Sequence, residues 1–438
     1  MRRGFLLSRK RESTSAPYPT RNKKPNSDDR TLFAYDAPQA TEAAVRPYTV
    51  KDLKTWSKRN ICLADDPRMS AKVDLRDLGA DQRLIFRNIK VGSTEVSTLL
   101  DCAVLNLLPT RFSPAPIALE NATELRSAGV KGMGVFAVQD LRAAALIHVE
   151  YPATITQNTL VLNFGITRTE VYRELVQRVP AKTRSALLQL NSSQLAERCD
   201  VEEGILRSNA VGIVMPAPSI PSSVAMGHNA LFIEARFNHS CSPNVVHRFD
   251  PESFALSVHT IRPIAKGEEI VFSYIDLNST VGRDARRSLL QNRFHFECMC
   301  DRCAIADSAT VEESDQRRQR ICAATHEEVI APFAAWYRAN GRGDLQKVIA
   351  FHLAAVEERR IEGLYQYPYL LHLSLLAICF AALEDIRSFR LWMGKARDVA
   401  VRNLETEKAV NMLRYVVYPE SFPQWALARK MQPCPGAL

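Results

Sequence analysis

Arg236-Phe-Asn-His-Ser-Cys-Ser-Pro-Asn244 is followed by Gly267-Glu-Glu-Ile-Val-Phe-Ser-Tyr274 and by Phe296-Glu-Cys-Met-Cys-Asp-Arg-Cys303. Three kinds of chemistry meet here: a compact polar loop, a tyrosine at the end of an apolar run, and a thiolate cluster. Cys298, Cys300 and Cys303 form a C-x-C-x-x-C run that brings three thiolates into one small volume. A structural zinc site takes four ligands, so a fourth must come from elsewhere in the chain. Cys241, in the other polar loop of the same stretch, is the natural candidate, with His239 and His295 as rivals. A disulfide suits these residues less well, because a C-x-C pair strains the bridge.

Upstream, Lys131-Gly-Met-Gly-Val-Phe-Ala137 superficially fits a dinucleotide-binding fingerprint. That fingerprint needs a buried strand before it and a long helix after it. Here Glu120 to Lys131 is polar, the run from Val135 to Gln139 is strand-like, and Pro152 follows soon after, so the context fails. What survives is a glycine turn between short strands, where missing side chains let backbone approach a ligand.

Taken together, Asn238 to Asn244, Gly267 to Ile270, Tyr274, the cysteine cluster and the glycine motif resemble the SET-domain lysine methyltransferases. Within that family the chain is most similar to the SMYD-type branch and its fungal relatives. The resemblance covers about residues 117–304. It implies an α+β fold of small curved sheets, with a threaded loop around Asn238–Asn244 and a zinc-binding segment after it. The implied reaction is transfer of a methyl group from S-adenosylmethionine to a lysine of a protein substrate, histone or otherwise. Lys131, Gly132, Met133 and Gly134 occupy the places of the turn that lies against the cofactor. Asn238 and His239 would hold its methionine end, Phe296 would lie against the adenine, and Asn209 aligns with an asparagine that relatives keep nearby. Tyr274 takes the place of the catalytic hydroxyl, while Asn244 fits a residue that ties the loop together. The resemblance has departures. Phe294 stands where relatives often have a second tyrosine, and Ala145 where they commonly have glycine. The zinc-binding MYND module of the animal proteins needs many Cys and His, whereas the insert here holds only Cys199, so that module is expected to be absent. Two other readings share these residues: an inactive SET fold serving as a protein-interaction module, and a methyltransferase of a non-protein amine.

The remainder of the 438-residue chain frames this stretch. A hydrophobic content of 46% supports sizeable cores, and no apolar run is long enough to span a bilayer, so no membrane partner is expected. Ten cysteines in so long a chain, with three of them in one tight run, argue for a reducing compartment. Of the net charge of +9, the first 30 residues supply +6, from nine Lys or Arg against three acidic residues, which leaves +3 for the body. A body that grips nucleic acid is therefore not expected. The basic tail, residues 1–47, reads as disordered and solvated, consistent with the nucleus or cytoplasm. Its arginine-rich, acid-poor start leaves mitochondrial import as the alternative.

Residues 48–116 carry no motif, and Pro109, Pro114 and Pro116 read as a linker. Residues 117–304 form the central domain, with a helical insert near 166–205 that opens on a Thr167-x-x-Glu170 capping box. Val171, Tyr172, Leu175 and Val179 continue it at helical spacing, Pro180 stops it, and a second helix is expected over Lys182–Leu190. Residues 305–438 are expected to be all-α, with Pro368 at a first helical position and Tyr369, Leu370, Leu373, Leu376, Ala377 and Phe380 on one face. A second amphipathic helix is expected over Ile386–Asn403. Paired helices at this spacing suggest a tetratricopeptide-like array or a plain bundle that would recruit protein partners.

Overall fold

The computed structural model of the chain describes residues 62–63, 84–157, 168–193, 199–216, 227–365 and 368–431. The basic tail and the expected capping residue Thr167 lie outside the described residues.

Leu84–Val91 and Thr94–Asp101, β2 and β3, are runs rich in β-branched and aliphatic residues, joined at Gly92 and Ser93. Gly92 takes a φ of 59°, as a two-residue hairpin turn demands. These strands extend a six-stranded sheet. Its spatial order is β1 (Cys62–Leu63), β2, β3, β7 (Thr154–Gln157), β9 (His228–Leu231) and β8 (Ala210–Ile213). Alternation along β3 sorts its side chains between two cores. Val96 and Leu100 enter the central core, while Leu99 packs with the insert helices.

Those helices are Arg168–Gln177, Ala181–Leu187 and Val201–Asn209. Val171, Tyr172, Leu175, Ile205 and Leu206 bury their apolar faces against Phe86, Leu99 and Leu231 of the sheet. Ser97 Oγ donates to the Leu175 carbonyl at 2.7 Å, which fixes the first helix on the strand. The expected second helix begins one residue before Lys182 and ends at Leu187, short of the expected Leu190.

Two small sheets complete the β region. One runs β10 (Asn238–His239), β13 (Glu269–Phe272), β5 (Met133–Ala137) and β4 (Thr123–Ser127); the other runs β11 (Val245–Asp250), β12 (Ala255–Thr260) and β6 (Leu146–Glu150). At the turn before β6 the left-handed position is Ala144, with φ 59°, while Ala145 donates its backbone N–H to Thr260 Oγ1 at 2.9 Å.

Beyond the β region the chain is helical: Ser308–Ala323, His326–Arg338, Leu345–Glu362, Tyr369–Ala382, Ile386–Arg402 and Thr406–Val417. Asp307 caps the first of these, and a Thr325–Glu328 capping box opens the second. Pro368 takes the N-cap position, and the first helical residue is Tyr369. The Tyr369–Ala382 helix is buried on more than the one expected face, at Leu371, Leu373, Leu375, Leu376, Ala377 and Cys379. It is the central helix of its layer and has neighbours on several sides, which a single-stripe pattern does not describe. Among the described residues no helix is long and apolar enough to cross a membrane.

Candidate active site and thiolate centre

The four-stranded sheet brings two chain-distant loops together. β10 pairs in parallel with β13, Asn238 opposite Val271 and His239 opposite Phe272. On its other edge β13 pairs antiparallel with β5, which follows the glycine turn directly. The Glu269 carboxylate spans the gap. It accepts from Lys131 Nζ at 2.6 Å through Oε2, and from Asn238 Nδ2 at 2.5 Å through Oε1. Gly134 makes this closure sterically possible. A Cβ there would lie 2.8 Å from both Asn238 Nδ2 and Glu269 Oε1. Gly132 has φ 77°, in the region that favours glycine, and Met133 is partly exposed at the rim.

Asn244 ties the polar loop to β13, as its sequence position suggested. Its side chain donates to the Glu269 carbonyl at 2.9 Å and to the Glu268 carboxylate at 3.1 Å, and accepts from the Val271 N–H at 2.8 Å. Glu268 also accepts from Arg262 at 2.5 Å. Burial alone would raise the Glu268 carboxyl, but hydrogen bonds from Arg262 and Asn244 bring it below its ordinary value.

His239 is buried, and that burial pushes its pKa down to about 3, so the ring is neutral. Its Nδ1 accepts from the Tyr274 N–H at 2.9 Å, which leaves the proton on Nε2, 3.3 Å from Cys241 Sγ. The imidazole is thus a post between the tyrosine and a cysteine. Tyr274 is 3% exposed, and its hydroxyl donates to the Phe237 carbonyl at 2.9 Å. Rings surround it: His239 at 5.3 Å, Phe294 at 5.4 Å and Phe296 at 6.3 Å between centroids. Phe294 is fully buried and Phe296 half-buried.

Two further acidic residues organise this region. Glu269 lies inside the Gly-Glu-Glu run, but nothing local marks it as a bridge. Glu150 is not marked as a bridge either, because the backbone groups it binds lie more than eighty residues on. Its carboxylate accepts from three successive backbone N–H groups, Ile233 at 2.6 Å, Glu234 at 2.9 Å and Ala235 at 2.9 Å. His148 contacts the same carboxylate at 3.1 Å and packs edge-on to Phe237. Glu150 therefore fixes the chain that leads into Phe237 and Asn238.

The sulfurs of Cys241, Cys298, Cys300 and Cys303 lie within 4.8 Å of one another. Neither His239 nor His295 joins them in that group. Cys241 and Cys303 are 3.6 Å apart, close to the ~3.8 Å edge of a tetrahedron with 2.3 Å zinc–sulfur bonds. The Cys241 N–H points at Cys300 Sγ, 3.4 Å away. Hydrogen bonds from the other three sulfurs lower the Cys300 thiol and raise that of Cys241. Four cysteine sulfurs this close form a donor set of the kind that suits zinc.

Asn209 lies in the Val201–Asn209 helix. It ends its helix with the side-chain amide donating to the carbonyls of Asn191 at 2.7 Å and Ile205 at 2.8 Å. Among the described residues no hydrogen bond joins it to the glycine turn or to Asn238. Phe237 and Phe272 line a small apolar cavity of about 10 Å³, together with Val211, Val245, His247 and Val258. Tyr274 does not line it.

Comparison with known proteins places this geometry. The family described as SET domain matches residues 132–275. The histone-lysine N-methyltransferase set5 of Schizosaccharomyces pombe is 29% identical over 187 residues, covering 43% of this chain and 56% of the relative. The histone-lysine N-methyltransferase ATXR4 of Arabidopsis thaliana is 32% identical over 97 residues, covering 21% of this chain and 28% of the relative. The protein-lysine N-trimethyltransferase SMYD5 of Mus musculus is 33% identical over 92 residues, covering 20% of this chain and 22% of the relative. The chain thus spans between 22% and 56% of the length of these curated relatives. It carries a SET domain homologous to those of the lysine methyltransferases set5 and SMYD5.

Proposed function

We propose that this protein transfers a methyl group from S-adenosylmethionine to a lysine side chain of a protein substrate. The observation that carries the reading is the Glu269 bridge, through which Lys131 and Asn238 close two distant loops beside the buried Tyr274 hydroxyl. S-adenosylmethionine, when bound, supplies an electrophilic methyl group on a sulfonium. The chain's own residues do the rest. Lys131, the Gly132–Gly134 turn, Asn238 and His239 would hold the cofactor, with Phe296 against its adenine.

A lysine amine is protonated in water and attacks only after losing that proton. The apolar wall of Phe294, Phe296 and Tyr274 disfavours the ammonium by desolvation, and solvent carries the proton away. Tyr274 Oη accepts from the neutral amine and aligns its lone pair with the methyl carbon, which is mainly a matter of positioning. Cys241, Cys298, Cys300 and Cys303 would hold one zinc ion, which fastens the polar loop to the segment after the tyrosine. The C-terminal helices, stacked in tetratricopeptide-like fashion, offer a surface for protein partners.

The test addresses cofactor binding by calorimetry. Wild type should bind S-adenosylmethionine, and Gly134→Val should weaken binding by about tenfold or more, since the added carbons displace Asn238 and Glu269. Unchanged affinity in a folded Gly134→Val protein would remove the glycine turn from the cofactor site.

A further inference from the structure

The thiolate centre is gripped from the helical side by buried arginines. Arg318, on the Ser308–Ala323 helix, has a fully buried side chain and donates from Nη2 to the Cys241 carbonyl at 2.8 Å. The same nitrogen reaches the Glu362 carbonyl at 3.0 Å, and Nε donates to the Glu362 carboxylate at 2.8 Å. That carboxylate, itself fully buried, also accepts from Arg317 at 2.9 Å and Ser314 at 2.8 Å. Glu362 ends the Leu345–Glu362 helix, and the following Gly363, with φ 67°, lies directly on the metal loop. A Cβ on Gly363 would fall 3.0 Å from Ser242 Cα and closer still to its side chain.

Arg286 is the second cation. It is fully buried, donates to the Val281 carbonyl and lies 3.5 Å from Asp315. A zinc ion with four thiolates is a net anion, and buried charge persists only where opposite charge and hydrogen bonds meet it.

We propose that Arg318 is a positioning residue of the thiolate centre: held by Glu362, it ties the C-terminal helices to the Cys241 backbone and sets how long the centre keeps its metal. The inference rests on the zinc reading above. The coupling is reciprocal, so metal loss loosens the Ser308–Ala323 and Leu345–Glu362 helices.

The experiment uses full-length protein. Zinc per chain is measured by elemental analysis, and its release into excess colorimetric chelator is then timed. Wild type, Arg318→Met, Arg318→Lys and Arg320→Ala are compared; Arg320 pairs with Glu358 on the surface and serves as the control. Release from Arg318→Met is expected to be faster on the order of tenfold or more, the scale of losing an outer partner of a metal ligand. Arg318→Lys falls between, because an ammonium lacks the fork that spans Cys241 and Glu362. Arg320→Ala matches wild type. Should Arg318→Met fail to fold, Glu362→Gln weakens the same pair with little change of shape. Amide exchange of the unsubstituted protein, with and without zinc, reports the linkage directly. Zinc bound at full occupancy but released at the wild-type rate from both Arg318→Met and Glu362→Gln overturns the inference and leaves the metal site standing. Full protection of the two helices after metal removal overturns it in the same way. A wild type that holds no zinc overturns both.

Discussion

Between Gly132 and Cys303 the interior carries Asn238, His239, Asn244 and four cysteines, whereas from Ser308 to Met431 it is filled chiefly by residues such as Leu373, Leu376, Phe389 and Ala396. The first region buries or half-buries polar atoms, several of which meet partners far along the chain: Glu150 with Ala235, Lys131 with Glu269, Tyr274 with Phe237. The second buries carbon against carbon, and many of its buried charges, Arg318 and Glu362 among them, sit at the seam with the first. Polar burial is costly unless each group is satisfied, so its concentration marks where the chain builds a site rather than a support.

The comparison breaks most visibly if the helical layer is not held by apolar packing. Phe389 is fully buried and stacks near Phe422 and Trp425, with centroids 5.2 and 5.7 Å away. Phe389→Ala is expected to cost about 3–5 kcal/mol in urea unfolding, through lost transfer energy and the cavity left behind. S-adenosylmethionine affinity of the folded variant should be unchanged. A loss below about 1 kcal/mol would mean that the layer collapses around the gap and does not depend on that ring.

How much of this contrast is legible in the sequence follows from the range of each interaction. The cysteine spacing, the glycine turn, Asn244 and the helices near 168–187 and 386–402 are written in neighbouring residues, and local pattern reveals them. The β2–β3 hairpin is written locally too, as Gly92-Ser93 between two β-rich runs, although a reading led by chemical motifs does not find it. Glu150, Arg286 and Arg318 are not legible. Each is an ordinary charged residue with at least one partner far along the chain, and nothing in the neighbouring sequence distinguishes it from a solvated one. Asn209 holds its amide nitrogen on the Asn191 and Ile205 carbonyls, contacts that no neighbouring residue announces.

Acid sharpens the comparison, because the helical layer hides one polar pair of its own. His352 and His372 face each other, Nδ1 to Nδ1, at 3.0 Å. Burial lowers His352 to about 4 and, with help from Arg359 and His352, lowers His372 to about 3. In the sheet region burial likewise holds His247 and His259 at about 4. The folded values lie below the unfolded value near 6.5, so as pH falls the unfolded chain takes up protons first. Stability contributed by these neutral rings is complete above about pH 6.5 and is lost toward pH 4. One such shift is on the order of 3 kcal/mol. His372→Asn keeps a hydrogen-bonding partner for His352 without titrating, and its unfolding midpoint should fall less steeply between pH 6.5 and pH 4 than the wild type's. Equal slopes would show that the pair does not carry the charge penalty assigned to it.

The central claim is that the polar region performs methyl transfer through the Tyr274 hydroxyl. The measurement is incorporation of labelled methyl from S-adenosylmethionine into protein of a cell lysate, followed by acid hydrolysis and, on the substrate so identified, comparison with Tyr274→Phe. Label should appear as methyl-lysine. Tyr274→Phe should turn over about 10²-fold more slowly, the scale of removing one group that acts in the transition state, with cofactor affinity and zinc content unchanged. Label confined to small molecules, or a Tyr274→Phe rate equal to the wild type's, would contradict the account.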